Sequence, residues 1–178
     1  MLLSDQSAPA FVPSSYELHS SYPLNNDQIH ALVRFYLETS GHEKLIGRVD
    51  NLRCNLALGI VTSAYITHQN TIIASAIGYA HDDNIYEIGS VLIDPEYKGK
   101  GLYKDLRHAH INLGKGKTTV MFERLASVKK PRILAQRALE GWRELSFHDP
   151  VFQAVEATKI DEPHRKPPKT GLVYIKSA

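Results

Sequence analysis

The chain has one cysteine, Cys54, so it can close no disulfide on itself and build no cysteine-rich metal site. That usage fits a reducing compartment, and a cytoplasmic location is expected. No stretch approaches the ~18 consecutive apolar residues that a membrane-spanning helix requires. The opening stretch MLLSDQSAPAFVPSS has neither a basic region nor a long apolar run, so no signal peptide or membrane anchor is expected. An excess of one charge is also missing: 21 Lys and Arg against 19 Asp and Glu leave a formal +2. That balance does not argue for nucleic acid. There are nine histidines, but the one close pair, His108 and His110, is two apart in a helical stretch and faces two ways. No metal site is expected. Internal repeats are absent.

What is present is an ordinary globular composition, 43% hydrophobic and 22% charged over 178 residues, enough for one domain with a proper core. Residues 1–14, rich in Ser, Pro and Ala, read as a flexible tail, and 15–178 as a single domain. The chain is organised around IYEIGSVLIDPEYKGKGLYKDLRHAHINL, Ile85 to Leu113. Alternation puts Ile85, Glu87, Gly89, Val91 and Ile93 on one strand face and Tyr86, Ile88, Ser90 and Leu92 on the other. Both faces are largely apolar, as in a strand covered on each side. Asp94-Pro95 ends the strand, since proline cannot donate to a ladder. From Gly101 the period becomes helical, with Leu102, Leu106, Ala109 and Leu113 on one face.

The chemistry of that junction is anion binding. The first amides of a helix have no partner within it, and the macrodipole adds partial positive charge there. Gly99 and Gly101 let a phosphate approach the backbone, and Lys98, Lys100 and Lys104 surround the turn. A pyrophosphate suits it best; a surface turn with solvated lysines is the plainer alternative. Val91-Leu92-Ile93-Asp94-Pro95-Glu96-Tyr97-Lys98-Gly99-Lys100-Gly101-Leu102 resembles motif A of the GNAT superfamily of N-acetyltransferases. That motif is an apolar strand, a proline, then Q/R-x-x-G-x-G/A at a helix start, where the pyrophosphate of acetyl-CoA binds. Two positions depart from it. Lys98 replaces the usual Arg or Gln, and Tyr103 the usual Gly or Ala, where it either crowds the pyrophosphate or points away.

The remaining elements are predicted by pattern. A strand is expected over 15–20, then a helix from Asn25 or Asn26 to Thr39, with Ile29, Leu32, Val33, Tyr36 and Leu37 inward and Gly41 as its stop. Residues 43–58 are ambiguous. A hairpin comes next, 59–67 and 71–80, and after the central unit a strand over 118–125. A helix starts at Pro131, with Leu134, Ala138, Trp142 and Leu145 on its apolar face. Strands are predicted at 151–157 and 172–175, separated by the polar, proline-rich loop 161–170. Gly114-Lys115-Gly116-Lys117-Thr118 imitates a P-loop tail, but it leads from helix into strand and reads as a turn. The expected class is therefore α/β (α+β). The resemblance implies a mixed, mostly antiparallel sheet with a central parallel pair splayed around acyl-CoA, and helices on both faces.

The resemblance further implies that Leu92 and Ile93 offer backbone to the pantetheine arm, while Lys98, Gly99, Lys100, Gly101, Leu102 and Tyr103 hold the pyrophosphate. Glu87 is the candidate general base. It sits on an otherwise apolar strand, where burial would raise its pKa. It also lies eleven positions before Lys98, a spacing some members of that superfamily use for a catalytic glutamate. The alternative is a structural Glu, partly exposed or paired with arginine. Many members carry a tyrosine five residues before the Phe of a Gly-Phe pair on the last helix. Here Trp142 stands in its place before Phe147, and Ser146 replaces the glycine. An indole donates a hydrogen bond but is no proton-transfer acid. Trp142 is either core or a wall of the acyl pocket. Lys129, Lys130 and Arg132 could meet the 3′-phosphate, and Arg165, Lys166 and Lys169 an acidic acceptor; solvation is favoured for both groups. The expected activity is direct acyl transfer from acetyl-CoA to a primary amine on a small molecule, peptide or protein, without metal. A homodimer is left open. The rivals are a non-catalytic acyl-CoA-binding module and an interaction protein that keeps the fold without the ligand.

Overall fold

The computed structural model describes residues 15–20, 22–40, 49–81, 84–124, 131–145, 148–158 and 171–176. The expected tail 1–14, Gly41, Lys129, Lys130, Ser146, Phe147 and the loop 161–170 with its basic residues lie outside the described residues, as does the Arg132 side chain. In chain order the elements are β1 (Glu17–His19), α1 (Asn26–Ser40), α2 (Val49–Leu58), β2 (Val61–His68), β3 (Thr71–Ala80), β4 (Ile85–Ile93), a 3₁₀ turn (Pro95–Tyr97), α3 (Leu102–Leu113), β5 (Thr118–Arg124), α4 (Pro131–Leu139), β6 (Arg143–Leu145), α5 (Pro150–Thr158) and β7 (Gly171–Lys176). The strands form one seven-stranded sheet ordered β1-β2-β3-β4-β5-β7-β6. Every neighbouring pair is antiparallel except β4 and β5, which are parallel.

Local chemistry explains most of these boundaries. α1 begins with a reciprocal cap: the Gln28 amide donates to Asn25 Oδ1 and the Asn25 amide to Gln28 Oε1, both at 2.9 Å. Ile29, Leu32, Val33 and Tyr36 then point inward, as their spacing predicts. The β2–β3 hairpin turns through Gln69 and Asn70 at φ 50° and 62°, the left-handed pair that a two-residue hairpin loop requires. The ambiguous stretch resolves as α2, with Leu56 fully buried.

Three expectations are corrected. Residues 151–157 are not a strand but most of α5. Phe152 and Val155, three apart, pack on Ile85 and Val120, and Asp149 Oδ1 accepts from the Val151 amide at 2.9 Å. Asp149-Pro150 is thus a helix-start signal, N-cap followed by proline. The second correction concerns α4, which stops at Leu139 rather than continuing through Leu145. Gly141 adopts φ 79°, and the Trp142 amide closes back on the Arg137 carbonyl at 2.9 Å. Trp142 therefore lies past the end of the helix and precedes β6 instead of occupying a helical face.

The third correction is to the strict alternation predicted along β4. Gly78 pairs with Ile88 and Ala76 with Val91, so β4 spends one residue more than β3 between these pairs. This bulge at Gly89-Ser90 reverses the facing of the residues beyond it. Tyr86 and Ile88 pack with Met121 and Trp142 beneath α3, while Ile85 packs on α5. Past the bulge it is Val91 and Ile93 that join the α3 side, with Leu102 and Leu106, and Leu92 that joins α1. Helices thus cover both faces: α1, α2 and α5 on one, α3 and the α4 end on the other. Each fully buried Leu, such as Leu32, Leu56 and Leu106, contributes about 1.5–3 kcal/mol through burial.

Candidate active site

The parallel ladder of β4 and β5 runs from Ile85↔Thr118 to Ile88↔Met121 and stops there. β4 continues to Ile93 held by β3 alone, with Leu92 opposite Ser75 and Ile93 opposite Ala74. The bulge directs β4 away from β5, so the sheet forks at Ile88 and Met121. Leu92 and Ile93 lie on the opened arm of β4, with no β5 partner among the described residues.

The chain then makes the 3₁₀ turn, capped by Asp94 Oδ1 accepting from the Glu96 amide at 3.0 Å. Gly99 and Gly101 come next at φ 80° and 82°, and a Cβ on either would stand in open space. Gly101 is the N-cap of α3 and brings no side chain to its end. The glycines therefore expose the amide end of a twelve-residue helix, the geometry that receives an anion. Lys98 is exposed, Leu102 is buried as the first residue of the helix, and Lys100 rests its Nζ 4.5 Å from the centre of the Tyr97 ring.

Glu87 sits one residue before the fork, opposite Val120, on the face away from α3. Its side chain is 2% exposed and its Oε2 lies 2.6 Å from His81 Nε2, itself 7% exposed. A histidine is thus one partner of Glu87, where the structural reading suggests an arginine. The His81 amide donates to the Ile85 carbonyl at 3.1 Å, extending the β3–β4 hairpin and setting the imidazole beside Glu87. Tyr79, cross-strand from Glu87, stacks on His81. The available signal was a lone histidine at the strand end; only the hairpin register joins it to a residue six positions on.

The opposite face of β4 carries a second polar group. Tyr86 Oη lies 2.6 Å from both Thr62 Oγ1 and His110 Nδ1, and His110 Nε2 lies 2.9 Å from the Ala76 carbonyl. The Ala64 amide also faces Nε2, at 3.3 Å, but the shorter contact is to the carbonyl, which accepts only, and this places the proton on Nε2 and lets Nδ1 accept from the Tyr86 hydroxyl. Burial pushes the Tyr86 hydroxyl well above its ordinary range, against the hydrogen bond to Thr62. Burial likewise lowers His110 to about 4, against the Ala76 bond. Near neutral pH the imidazole is uncharged folded or unfolded. As pH falls from ~6.5 towards 4, the unfolded chain binds a proton that the folded chain refuses, so stability drops. By pH ~4.5 the loss reaches about 2.5 kcal/mol. Urea unfolding near pH ~7.5 and ~4.5 checks this: wild type is expected to lose that much more than His110→Gln. Equal losses would remove His110 as the cause.

α3 also meets the end of α4. Arg107 Nη2 holds Glu140 at 2.6 and 2.5 Å, Gln136 donates to Glu140 at 2.8 Å, and Arg137 Nη1 stands 3.7 Å away. Burial pushes the Glu140 carboxyl up, but the Gln136 bond and the two guanidinia outweigh it and hold the group below its ordinary range. Trp142 is buried on Met121 and Ile88, at the fork itself. The Tyr103 hydroxyl lies 3.9 Å from Met121 Sδ and 3.5 Å from Arg137 Nη2. Among the described residues there is no group of three His, Cys, Asp or Glu able to hold a metal, and no helix long and apolar enough to cross a membrane. A shallow groove of about 230 Å³ between Tyr16, Ile66, Asp105 and His108 lies across α3 from the fork and holds none of these groups.

No family model and no curated protein matches the chain. Solved structures do. One is a GNAT-family acetyltransferase from Staphylococcus aureus Mu50, 14% identical, covering 91% of this chain and 98% of that one at TM-score 0.57. The fold is that of the GNAT acetyltransferases. The Escherichia coli N-acetyltransferase for a ribosomal-protein alanine shares the GNAT fold at TM-score 0.54 and 14% identity, over 90% of this chain and 91% of its own. So does an IAA acetyltransferase from Bacillus cereus, at TM-score 0.53 and 11% identity over 92% and 100%. The mixed sheet with one parallel pair and helices on both faces is the GNAT architecture expected from motif A.

Proposed function

We propose that this chain is an N-acyltransferase that moves an acetyl or other short acyl group from acyl-CoA to a primary amine by direct transfer in a ternary complex. The observation that carries this is the fork: β4 parts from β5 after Ile88 and leads, through the 3₁₀ turn, to a glycine turn that exposes the start of α3. An anion at that helix end and an extended arm in the fork are the two halves of acyl-CoA. Lys98, Gly99, Lys100, Gly101 and Leu102 surround the pyrophosphate in this proposal, and the β4 backbone at Leu92 and Ile93 meets the pantetheine. Trp142, at the base of the fork, walls the acyl group. Glu87, hydrogen-bonded to His81, takes the proton of the incoming ammonium. The neutral amine nitrogen then forms its bond to the thioester carbonyl carbon, the carbon–sulfur bond breaks, the thiolate leaves, and the second proton of the nitrogen passes to that sulfur or to solvent. With a thiol pKa near ~8.5, the leaving group needs no side-chain acid. The exposed Cys54 is not needed as a nucleophile. The matched structures act on a ribosomal-protein alanine in one case and are named for IAA in another, so the acceptor is an amine whose carrier the fold does not choose. One domain from residue 15 onwards and a cytoplasmic location complete the proposal.

A thermal-shift titration tests it. Acetyl-CoA at ~100 times its Kd is expected to stabilise the protein by ~2.7 kcal/mol, raising Tm by about 5–11 °C for a chain of this size. Gly101→Ala, whose new methyl projects into open space but covers the helix end, should abolish most of the shift. No shift with any acyl-CoA would sink the proposal.

A further inference from the structure

Tyr103 stands on the first turn of α3, yet its hydroxyl reaches β5. It lies 3.9 Å from Met121 Sδ, at the residue where the β4–β5 ladder ends. The side chain therefore bridges the fork on the α3 side. It is held there from several directions. Arg137 Nη2 approaches its hydroxyl at 3.5 Å, and the guanidinia of Arg107 and Arg137 lie 5.6 and 5.9 Å from the ring centre. Both guanidinia are fixed by the same Glu140 carboxylate, so α4 anchors what Tyr103 rests on.

Two buried donors next to this bridge lack an acceptor among the described residues: Nε of Arg107 and Nε1 of Trp142. A buried N–H without a partner gives up its hydration and gets nothing in return. Arg107 lies against the Tyr103 ring and Trp142 packs with Met121, so a ligand that displaced the ring would bring acceptors to a neighbourhood short of them. A pantetheine arm carries two amide carbonyls and would also replace the oxygen that Tyr103 presents to Arg137.

We infer that Tyr103 is a latch that closes the fork when no ligand is bound, and that acyl-CoA enters only after this side chain swings out of the space between α3 and Met121. The inference rests on the acyl-CoA reading of the fork. The latch lowers apparent affinity by the fraction of time it stays open. It makes Tyr103 the residue that decides how readily the site accepts its ligand.

Isothermal titration with acetyl-CoA of the wild type, Tyr103→Phe and Tyr103→Ala is the test. A latch closed nine-tenths of the time predicts that Tyr103→Ala binds about tenfold more tightly. Tyr103→Phe, which loses only the hydroxyl contacts, should fall between. The side chain is 36% exposed, so neither variant is expected to unfold, and thermal melts check that. Trp142, the single tryptophan, packs on Met121 and gives a second readout. In stopped-flow fluorescence with excess acetyl-CoA, the wild-type rate should saturate at the rate of latch opening, while that of Tyr103→Ala should keep rising with concentration. If the wild type binds and Tyr103→Ala binds no more tightly, the latch is overturned and the acyl-CoA reading survives. If none of the three proteins binds, both fall.

Discussion

Glu87→Gln is expected to slow acyl transfer by about 10²–10⁴-fold, the usual contribution of a positioned base. The reason lies in the environment more than in the residue type. Glu87 is buried one residue before the fork, on the face that α3 does not cover, and its carboxylate meets the His81 imidazole at 2.6 Å. The substitution keeps the shape and a hydrogen-bond acceptor towards the imidazole, but it removes the proton-accepting charge. His81→Ala should lower the rate as well while leaving acetyl-CoA affinity unchanged, because His81 lies just past the end of β3 and away from the glycine turn. Steady-state kinetics over an amine library, with thiol release as the signal, provides the comparison. An unaltered rate in Glu87→Gln would make the pair purely structural, whereas acetyl-CoA binding with no turnover by the wild type would leave a binding module in place of an enzyme.

The second large effect is on folding. Gly78→Ala is expected to cost about 3 kcal/mol, at the high end for overpacking a core, and to lower Tm by about 6–12 °C. A Cβ there would stand 2.1 Å from Tyr86 Oη, 2.6 Å from its Cζ and 2.8 Å from His110 Nδ1. The ring has nowhere to retreat. Its hydroxyl is tied to Thr62 and His110, and on another side Gly114 packs so closely that its own Cβ would lie 2.7 Å from Tyr86 Cδ1. Combining Gly78→Ala with Tyr86→Phe removes the nearest clashing atom, so the double variant should lose less than the sum of the single ones. Circular-dichroism melts of the three proteins measure this. A Gly78→Ala melt within ~1 °C of wild type would show that the Tyr86 ring can move after all. The effect bears on function because Tyr86 precedes Glu87: the network that fixes its ring also fixes the β4 register at the fork.

Much of this protein can be read along the chain where the cause is local. The glycine turn, the proline that ends β4 and the period of α3 all fall between Ile85 and Leu113, and each acts through its own backbone or its near neighbours. Gly99 and Gly101 adopt the left-handed angles that a side chain resists. The capped start of α1 and the hairpin at Gln69-Asn70 are of the same kind. The expectation for 151–157 failed although its signal was local, because a short apolar run fits either period and Asp149-Pro150 was needed to decide between them.

What the order of residues could not supply was the set of contacts between distant segments. The bulge at Gly89-Ser90 depends on what β3 offers opposite, and it is this bulge that reverses which side chains of β4 face α3. His81 meets Glu87 only through hairpin register, and Tyr103 meets Met121 and Arg137 only once α3 and α4 lie on the same face. Backbone angles and periodicity are properties of a few consecutive residues, so composition and spacing determine them. Pair contacts across a sheet arise from packing the whole core, and tertiary structure alone decided those.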